Sequence, residues 1–225
     1  MHLFSSQERR GTAVTGKTHL ALGLVSGAVT AAAIDPAQSL NEATVTILVS
    51  GTAALLPDID DDNSTVNKIL FPFLPEGLRS WVLAALGGLV VLFFILRDWP
   101  LWTLLAGIYA LCVAFADHRG FSHSLLAFVF VVWTSYLASP MIAPAVAIGY
   151  GSHLLADAVT AGGIPLFWPW SKRFGLRNLG LKIPTGGGVD RWFYKVSLMG
   201  TGVIFTYLVY RRVMEEGLAA FGLFG

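Results

Sequence analysis

Long apolar runs, separated by short polar stretches, recur along almost the whole chain. Roughly twenty helical residues span a bilayer, and most of these runs approach that length. The pattern predicts membrane helices, with ends good to a few residues, at about 18–34, 42–57, 78–97, 99–116, 121–138, 141–160 and 192–211. The second run is short for a full span, so it is tilted or partly re-entrant. The pattern leaves open whether the last run crosses completely.

Composition points to lipid rather than water as the main solvent of this chain. Hydrophobic residues make up 55% of its 225 residues and charged residues 13%, and the mean hydropathy is +0.65. A soluble domain of this length needs more charges to cover its surface. The net charge of +1 provides no basic field for nucleic acid, so we expect no nucleic-acid partner. The single cysteine, Cys112, lies in an apolar run and is expected to be a small buried hydrophobe.

The chain is expected to form one all-α, polytopic transmembrane bundle of about six to seven helices. Residues 1–17 are predicted to be a polar N-terminal tail, 18–213 a single transmembrane domain, and 214–225 a C-terminal tail. Small residues are dense in the first and sixth predicted helices, and small residues let membrane helices approach closely. We therefore expect these two helices at the centre of the bundle.

Lysine and arginine are distributed unevenly between the two sides that seven crossings create. The side of the N-terminus receives Arg9, Arg10, Lys17, Lys68, Arg79, Arg119, Lys172, Arg173, Arg177, Lys182 and Arg191. The other side receives Arg97, Arg211 and Arg212. Because cytoplasmic loops carry the excess of basic residues, we predict a multi-pass protein of the inner (plasma) membrane with a cytoplasmic N-terminus. The C-terminal arginine pair fits this orientation poorly.

Histidine and aspartate residues interrupt the apolar pattern in compact groups near the ends of the runs. The groups are His19, Asp58 with Asp60, His118 with His123, and His153 with Asp157. The predicted topology brings all four groups to the cytoplasmic side. Ionisable residues at membrane depth are costly and mark a functional site by default. We therefore predict that these residues converge on a metal site near the cytoplasmic face.

Spacing supports two of these groups as metal ligands. His153 and Asp157 are four residues apart, which places an imidazole and a carboxylate on one helix face. The alternative is a hydrogen-bonded pair that stabilises helix packing. Asp58 and Asp60 fall on the same side of an extended segment 56–60, and crowded carboxylates repel unless a cation lies between them. The alternative for that pair is a solvated acidic loop.

The segment 117–124, Asp-His-Arg-Gly-Phe-Ser-His-Ser, places two histidines and an arginine at the start of a predicted helix. Ser122 is expected to cap that helix. Imidazoles bind divalent metals, and Arg119 is suited to hold a phosphate oxygen bidentately. The alternative is a polar interfacial turn with incidental histidines. His19 stands alone at a helix start, and its case as a metal ligand is strengthened only because it is predicted to share a membrane face with the other groups.

Histidines and aspartates without thiolates suit zinc first, with manganese or iron as alternatives, in a site of one or two ions. Such a site most naturally activates water and polarises a phosphoryl or carbonyl group. We expect a hydrolase that acts on a phosphoester of a lipid or amphiphilic substrate, because an interfacial site meets headgroups first. Asp60 or Asp157 is the expected general base. The alternatives are a metal or proton transporter and a purely structural metal site.

Four segments together resemble a known family over about residues 15–195. These are the Thr-His start, Leu-Pro-Asp-Ile-Asp, His-Arg-Gly-Phe-Ser-His-Ser and Gly-Tyr-Gly-Ser-His-Leu-Leu-Ala-Asp, which are similar to those of the YdjM-type inner-membrane metal-dependent hydrolases. The resemblance implies a membrane-bound, metal-dependent hydrolase with matching positions at His19, Asp58, Asp60, His118, His123, His153 and Asp157. A Gly-rich segment of the family matches residues 185–190, with Asp190 in place of the usual Glu. The residues expected to bind substrate are Arg119, Ser124, Lys182, Asp190 and Arg191; the oligomeric state is left open.

Overall fold

The computed structural model of the chain describes residues 14–34, 38–61, 64–75, 77–116, 120–160, 162–170, 172–175, 178 and 187–220. This part of the chain contains eight α-helices, two 3₁₀ turns and no strand, which confirms the predicted all-α bundle. The helices are α1 (Gly16–Ile34), α2 (Leu40–Ala53), α3 (Thr65–Leu70), α4 (Leu78–Arg97), α5 (Leu101–Ala114), α6 (Leu125–Ala138), α7 (Ala143–Ala158) and α8 (Gly187–Ala220). The 3₁₀ turns are η1 (Leu56–Asp60) and η2 (Phe121–His123).

All seven predicted helices are present, but two of them end elsewhere. The helix α2 stops at Ala53 and leads into η1, because the ring of Pro57 would clash with the carbonyl group of Ala53 in a continuous helix. The helix α8 is 34 residues long, so the prediction of 192–211 was too short. The short helix α3, within the loop after Pro57, was not predicted.

Four helical segments in the described part of the chain are long and apolar enough to cross a membrane. They are Gly16–Ile34, Leu40–Asp60, Leu78–Arg97 and Gly187–Glu216. The apolar helices α5 and α6 have 14 residues each, which is about 21 Å against about 30 Å for the hydrocarbon core. About six to seven helices were predicted, the second of them tilted or partly re-entrant and the last with its crossing left open. Four helical segments have spanning length, and shorter helices pack among them. Cys112 on α5 is exposed, so the prediction of a buried thiol was wrong: the helix turns this apolar side chain outward.

Small residues hold α1, α2 and α7 in close contact at the centre of the bundle. The hydroxyl group of Ser50 on α2 donates to the carbonyl oxygen of Gly23 on α1 at 2.9 Å. A Cβ atom added to Gly27 would lie 2.7 Å from Cβ of Ser50, and one added to Gly149 on α7 would collide with the Ser50 carbonyl group. The predicted central position of the first and sixth apolar runs, α1 and α7, is confirmed.

Five helix ends and both 3₁₀ turns meet at one end of the bundle, which we call the site end. It contains the start of α1, the end of α2, the start of α6, the end of α7 and the start of α8. A cluster of Leu83, Ala84, Val113 and Ala114 joins α4 to α5 there, with Ile59 of η1 packed against it. Chain segments that are distant in sequence are thereby brought to a common site.

Candidate metal centre

Five of the predicted ligands meet at the site end, carried by four separate elements. His19 comes from α1, Asp58 from η1, His123 from η2, and His153 and Asp157 from α7. They form two groups of three, one of His19, His153 and Asp157 and one of Asp58, His123 and His153. In each group the potential ligand atoms lie within 4.8 Å of one another. Because His153 belongs to both groups, the five residues form one arrangement, which we call the His/Asp cluster.

Each carboxylate of the His/Asp cluster faces two imidazoles. Asp157 places Oδ1 3.3 Å from Nε2 of His19 and Oδ2 3.6 Å from Nε2 of His123. Asp58 places Oδ1 3.6 Å from Nε2 of His123 and 3.7 Å from Nε2 of His153. The rings of His19 and His153 are stacked, with centroids 3.7 Å apart. This arrangement offers three nitrogen atoms and two carboxylates to one ion or to two neighbouring ions.

The His/Asp cluster is buried except at one edge. The side chains of the three histidines and of Asp157 are at most 1% exposed, whereas that of Asp58 is 16% exposed. Charged groups that are removed from solvent are generally paired or coordinate a metal. Asp58 is therefore the residue of the cluster that solvent reaches.

The end of α2 fixes the orientation of His153. Its Nδ1 lies 2.7 Å from the carbonyl oxygen of Ala54, one of the carbonyl groups that the end of a helix leaves without a partner. A carbonyl oxygen only accepts hydrogen bonds, so Nδ1 carries the proton and Nε2 of a neutral ring carries a lone pair. That lone pair points into the cluster. The spacing of four residues on α7 brings Asp157 to the same helix face, as predicted.

A chain of hydrogen bonds fixes the orientation of His123 in the same way. Ser122 donates its hydroxyl proton to Oδ2 of Asp60 at 2.6 Å, and its Oγ lies 2.9 Å from Nδ1 of His123. Since the single hydroxyl proton goes to Asp60, Nδ1 of His123 must donate to Ser122. The Nε2 atom of a neutral His123 therefore also carries a lone pair, and it lies 3.2 Å from Nε2 of His153.

The position of Asp60 differs from the sequence-based prediction of a metal ligand and general base. The prediction assumed an extended backbone that sends Asp58 and Asp60 to one side, but the segment is the 3₁₀ turn η1. A 3₁₀ helix has three residues per turn, so residues two positions apart point in different directions. Within the described part of the chain, Asp60 lies outside both groups of potential ligands, and its Oδ2 accepts the hydroxyl proton of Ser122. Through this hydrogen bond, Asp60 helps to hold His123 in position.

The two serines that flank His123 have other roles than the sequence suggested. Ser124 caps α6, because its Oγ accepts the N–H of Ala127 at 3.1 Å and donates to the carbonyl oxygen of Phe121 at 2.6 Å. The prediction of Ser122 as the cap was wrong, because its side chain binds His123 and Asp60. Ser124 was expected to bind substrate, but its hydroxyl group is fully buried and engaged by backbone groups.

Sequence reasoning did not identify the tyrosines that support η2. Tyr150 of α7 is fully buried and donates its hydroxyl proton to the carbonyl oxygen of Ser122. Its hydroxyl group also lies 3.2 Å from that of Tyr109 on α5. The position of Tyr150, three residues before His153 and thus on a neighbouring helix face, was the available signal.

Asp190 binds the start of α1 rather than the His/Asp cluster. Its Oδ1 accepts the N–H of Thr15 at 3.2 Å, and its Oδ2 accepts the hydroxyl group of Thr15 at 2.9 Å. The hydroxyl group of Thr18 donates to the backbone carbonyl oxygen of Asp190 at 3.4 Å. These bonds join α8 to α1 one turn before His19. The carboxylate expected to bind substrate is thus engaged in positioning α1.

Residues 11–18 also match the spacing Gly-x-x-x-x-Gly-Lys-Thr of a phosphate-binding loop. That motif needs a preceding strand and free N–H groups at the helix start. The residues that would form such a strand precede Gly11 and lie outside the described part of the chain. Asp190 already accepts the N–H of Thr15, so this N–H is not free to bind a phosphate group. We therefore assign no nucleotide-binding loop to this match.

Four predicted residues have not yet been placed. Arg191 is exposed on the first turns of α8. His118, Arg119 and Lys182 lie outside the described residues, so their predicted roles stay predictions.

The donor set of the His/Asp cluster fits a divalent metal ion. Two imidazole lone pairs 3.2 Å apart repel each other unless a proton or metal ion lies between them. Imidazole and carboxylate ligands suit zinc, manganese and iron. The groups behind His123 and His153 supply the outer hydrogen bonds that orient metal-binding histidines. His19, Asp58, His123, His153 and Asp157 are therefore the residues that would hold the ion.

Comparison with known proteins identifies the family. The sequence model of the family described as YdjM inner membrane protein matches residues 14–221. The inner membrane proteins YdjM of Escherichia coli (strain K12) and Shigella flexneri are each 48% identical over 88 residues, which cover 36% of this chain and 43% of theirs. The uncharacterized protein YvsG of Bacillus subtilis (strain 168) is 31% identical over 163 residues, or 69% of this chain and 74% of that protein. No solved structure matches. The chain therefore belongs to the YdjM family of inner membrane proteins.

Proposed function

We propose that this protein is a membrane-bound, metal-dependent hydrolase that cleaves a phosphoester of a lipid or amphiphilic substrate. The observation that carries the proposal is the convergence of three histidines and two aspartates from four elements, with one partly exposed edge at Asp58. A cluster of this kind combines strong ligands with a route for water and substrate, and metal-dependent hydrolysis needs both.

The protein's own groups would hold the reacting partners in place. A divalent ion, with zinc as the first candidate, would supply activated water and polarise a phosphoryl oxygen. His123 and His153 are held with their Nε2 atoms inward, so they need no reorientation to bind. Asp157 spans His19 and His123, which makes a ligand role more fitting for it than the general-base role expected from the sequence. Asp58, at the exposed edge, is the better-placed carboxylate to receive a proton from water.

The main alternatives fit the surroundings of the cluster less well. A transporter needs polar groups through the full depth of the membrane, but α1, α2 and α7 pack through Gly23, Gly27, Ser50 and Gly149, with apolar residues such as Ala28, Ala31 and Ile47 towards the other end. A purely structural metal site has a closed coordination shell, whereas Asp58 is partly exposed. These observations favour the hydrolase.

The orientation of the site towards the cytoplasm is part of the proposal. Exposed basic residues at the site end include Lys17, Lys68, Lys172, Arg173 and Arg191. At the other end, Arg97 is exposed, while Arg211 and Arg212 lie within 3.6 and 2.9 Å of Glu215 and Glu216 respectively. The basic excess at the site end is the feature of cytoplasmic loops. A site at that interface meets phosphate-containing headgroups first, which is the reason for the choice of substrate.

The test is to purify the chain in detergent, measure its bound metal, and assay phosphatidic acid, diacylglycerol pyrophosphate and phosphodiester lipids. We expect turnover with at least one class, lost in Asp58→Asn and His123→Ala. Thr103→Ala is a matched control, because Thr103 is a buried polar residue on α5 that donates only to Pro100 among the hydrogen bonds of its side chain. Stoichiometric metal without turnover of any of these substrates would contradict the hydrolase and favour a structural site.

A further inference from the structure

An apolar groove lies beside the His/Asp cluster at the site end. It runs between α1, α7 and α8, has a volume of about 340 Å³, and is lined by side chains that include Leu22, Leu155, Val159, Val189 and Phe193. The volume exceeds twice the roughly 150 Å³ of a dry apolar cavity that holds benzene. The helices α1 and α8 are both long enough to cross a membrane, so we expect this groove to open towards lipid.

The groove continues along α1 towards the middle of the membrane. Ser152 and Leu155 line both this groove and a second depression between α1 and α7, which has a volume of about 420 Å³ and reaches Val29. Val29 follows Thr18 by eleven positions on α1, so the two depressions extend about 17 Å along the helix. This is the shape that an extended hydrocarbon chain occupies.

The groove and the cluster lie on neighbouring faces of the same two helices. Three residues that line the groove, Thr18, Ser152 and Ala156, each directly precede a residue of the cluster. These cluster residues are His19, His153 and Asp157. A chain held in the groove therefore lies one residue away from the candidate ligands of α1 and α7.

Two basic residues lie near the polar end of the groove. Lys17 and Arg191 are exposed and directly neighbour the groove-lining residues Thr18 and Asp190. The carboxylate of Asp190 is bound by Thr15, so it already has hydrogen-bond donors. The groove is thus lined mainly by apolar side chains, and Lys17 and Arg191 are exposed one residue away from two of its lining residues. An apolar groove with basic residues near one end is complementary to an anionic amphiphile.

We propose that this groove binds one acyl chain of an anionic membrane phospholipid, with the phosphate headgroup at Lys17 and Arg191. The proposal rests on the proposed function, for which it supplies the site that holds the substrate's apolar part. The proposal also accounts for the lipid-facing gap between α7 and α8 that leaves α1 uncovered, because the bound acyl chain fills this gap.

The direct test is photo-crosslinking with phosphatidic acid that carries a diazirine in its acyl chain, applied to the full chain in nanodiscs. We expect crosslinks to concentrate on α1, α7 and α8 around Leu22, Leu155 and Phe193. The groove-filling variant Ala156→Phe should lower this labelling at least fivefold. Val129→Phe is the matched control, because Val129 is 53% exposed on α6 and lies outside the groove. Ser152→Leu, at the junction of the two depressions, is the second variant if Ala156→Phe does not fold.

Even labelling of all lipid-facing helices, or unchanged labelling in both groove variants, would overturn the proposal. Loss of a dimer in Ala156→Phe without loss of lipid labelling would assign the groove to a second copy of the chain instead. Crosslinking needs no turnover, so specific labelling of a protein that hydrolyses none of the substrates would contradict the proposed hydrolase alone. If turnover is found, kcat/KM should be compared for long-chain phosphatidate and for dibutyryl phosphatidate. Ala156→Phe should lower the ratio of the first value to the second about tenfold. An unchanged ratio would count against the groove.

Discussion

The Nε2 atoms of His123 and His153 face each other across 3.2 Å at the centre of the His/Asp cluster. The other ring nitrogen of each histidine is used by an outer partner, Ser122 for His123 and the carbonyl oxygen of Ala54 for His153. Both inward nitrogen atoms of the neutral rings therefore carry lone pairs. A cation between them converts a repulsive contact into a pair of ligand bonds.

The hydrogen-bond chain behind His123 should control metal affinity without contacting the metal. Ser122→Ala removes the group that fixes the proton on Nδ1 of His123, and Asp60→Asn weakens the acceptor behind it. Loss of such outer partners typically costs 10–100-fold in metal affinity, so we expect a loss on the order of tenfold or more in a chelator competition titration. Ser122→Thr keeps the hydroxyl group and is the control. Unchanged metal affinity in Ser122→Ala would show that the hydrogen bonds behind His123 do not orient this ligand.

Removal of the metal should destabilise the bundle. The His/Asp cluster joins α1, η1, η2 and α7, so an ion bound there links four elements that are otherwise held by packing. Binding to the folded state alone stabilises it by about 2.7 kcal/mol at a ligand concentration of 100 Kd. We expect EDTA to lower Tm in detergent and zinc to restore it.

The same chelation experiment on His153→Ala provides the control. His153 belongs to both groups of ligands, so its loss should leave a Tm that no longer responds to EDTA or zinc. An equal response in the wild type and in His153→Ala would place the metal elsewhere in the chain.

The contact between Gly149 and Ser50 should tolerate no side chain. A Cβ atom at Gly149 would collide with the backbone carbonyl group of Ser50, which is held within α2 and cannot turn away. Overpacking a tight interface costs about 1–3 kcal/mol, so Gly149→Ala should unfold at lower temperature or denaturant concentration. Gly88→Ala on α4 is the matched control, since nothing lies within 4 Å of the added Cβ atom. Equal stability of the two variants would contradict the packing described for α2 and α7.

The site end should face the cytoplasm. In a Cys112→Ser background, Lys17→Cys lies at the site end and Asp98→Cys at the opposite end of α4. A thiol reagent that cannot cross the membrane should label Asp98→Cys in intact cells and Lys17→Cys only after the membrane is opened. The reverse pattern would invert the proposed orientation and place the cluster on the outer side.

The helices could be predicted from the sequence because apolar run length is a direct consequence of membrane thickness. The positions of the helix ends depended on effects other than hydropathy. Pro57 ended α2 earlier than its apolar run, and α8 continued past Arg211 into charged residues because Arg–Glu pairs four apart, such as Arg212 with Glu216, support a helix in water. Hydropathy alone does not register either effect.

The site could be predicted in part, for a similar reason. The spacing of His153 and Asp157 indicates a shared helix face, and that prediction is confirmed. The roles of Asp60, Ser122 and Ser124 depended on local backbone form: η1 and η2 are 3₁₀ turns, whereas an extended strand and a helix start were assumed. The two tyrosines behind η2 were missed: the spacing of Tyr150 from His153 indicated a nearby helix face, but it did not indicate the carbonyl group of Ser122 as the partner of the phenol.

The metal content of the purified protein tests the central claim most directly. After reconstitution with zinc and removal of excess ion, elemental analysis should find about one or two ions per chain in the wild type, as expected for one such cluster. We expect the same content in the control His2→Ala, because His2 lies in the predicted polar N-terminal tail, and a content near background in His153→Ala. A wild-type protein without bound metal, or a folded His153→Ala variant that keeps the full content, would contradict the account.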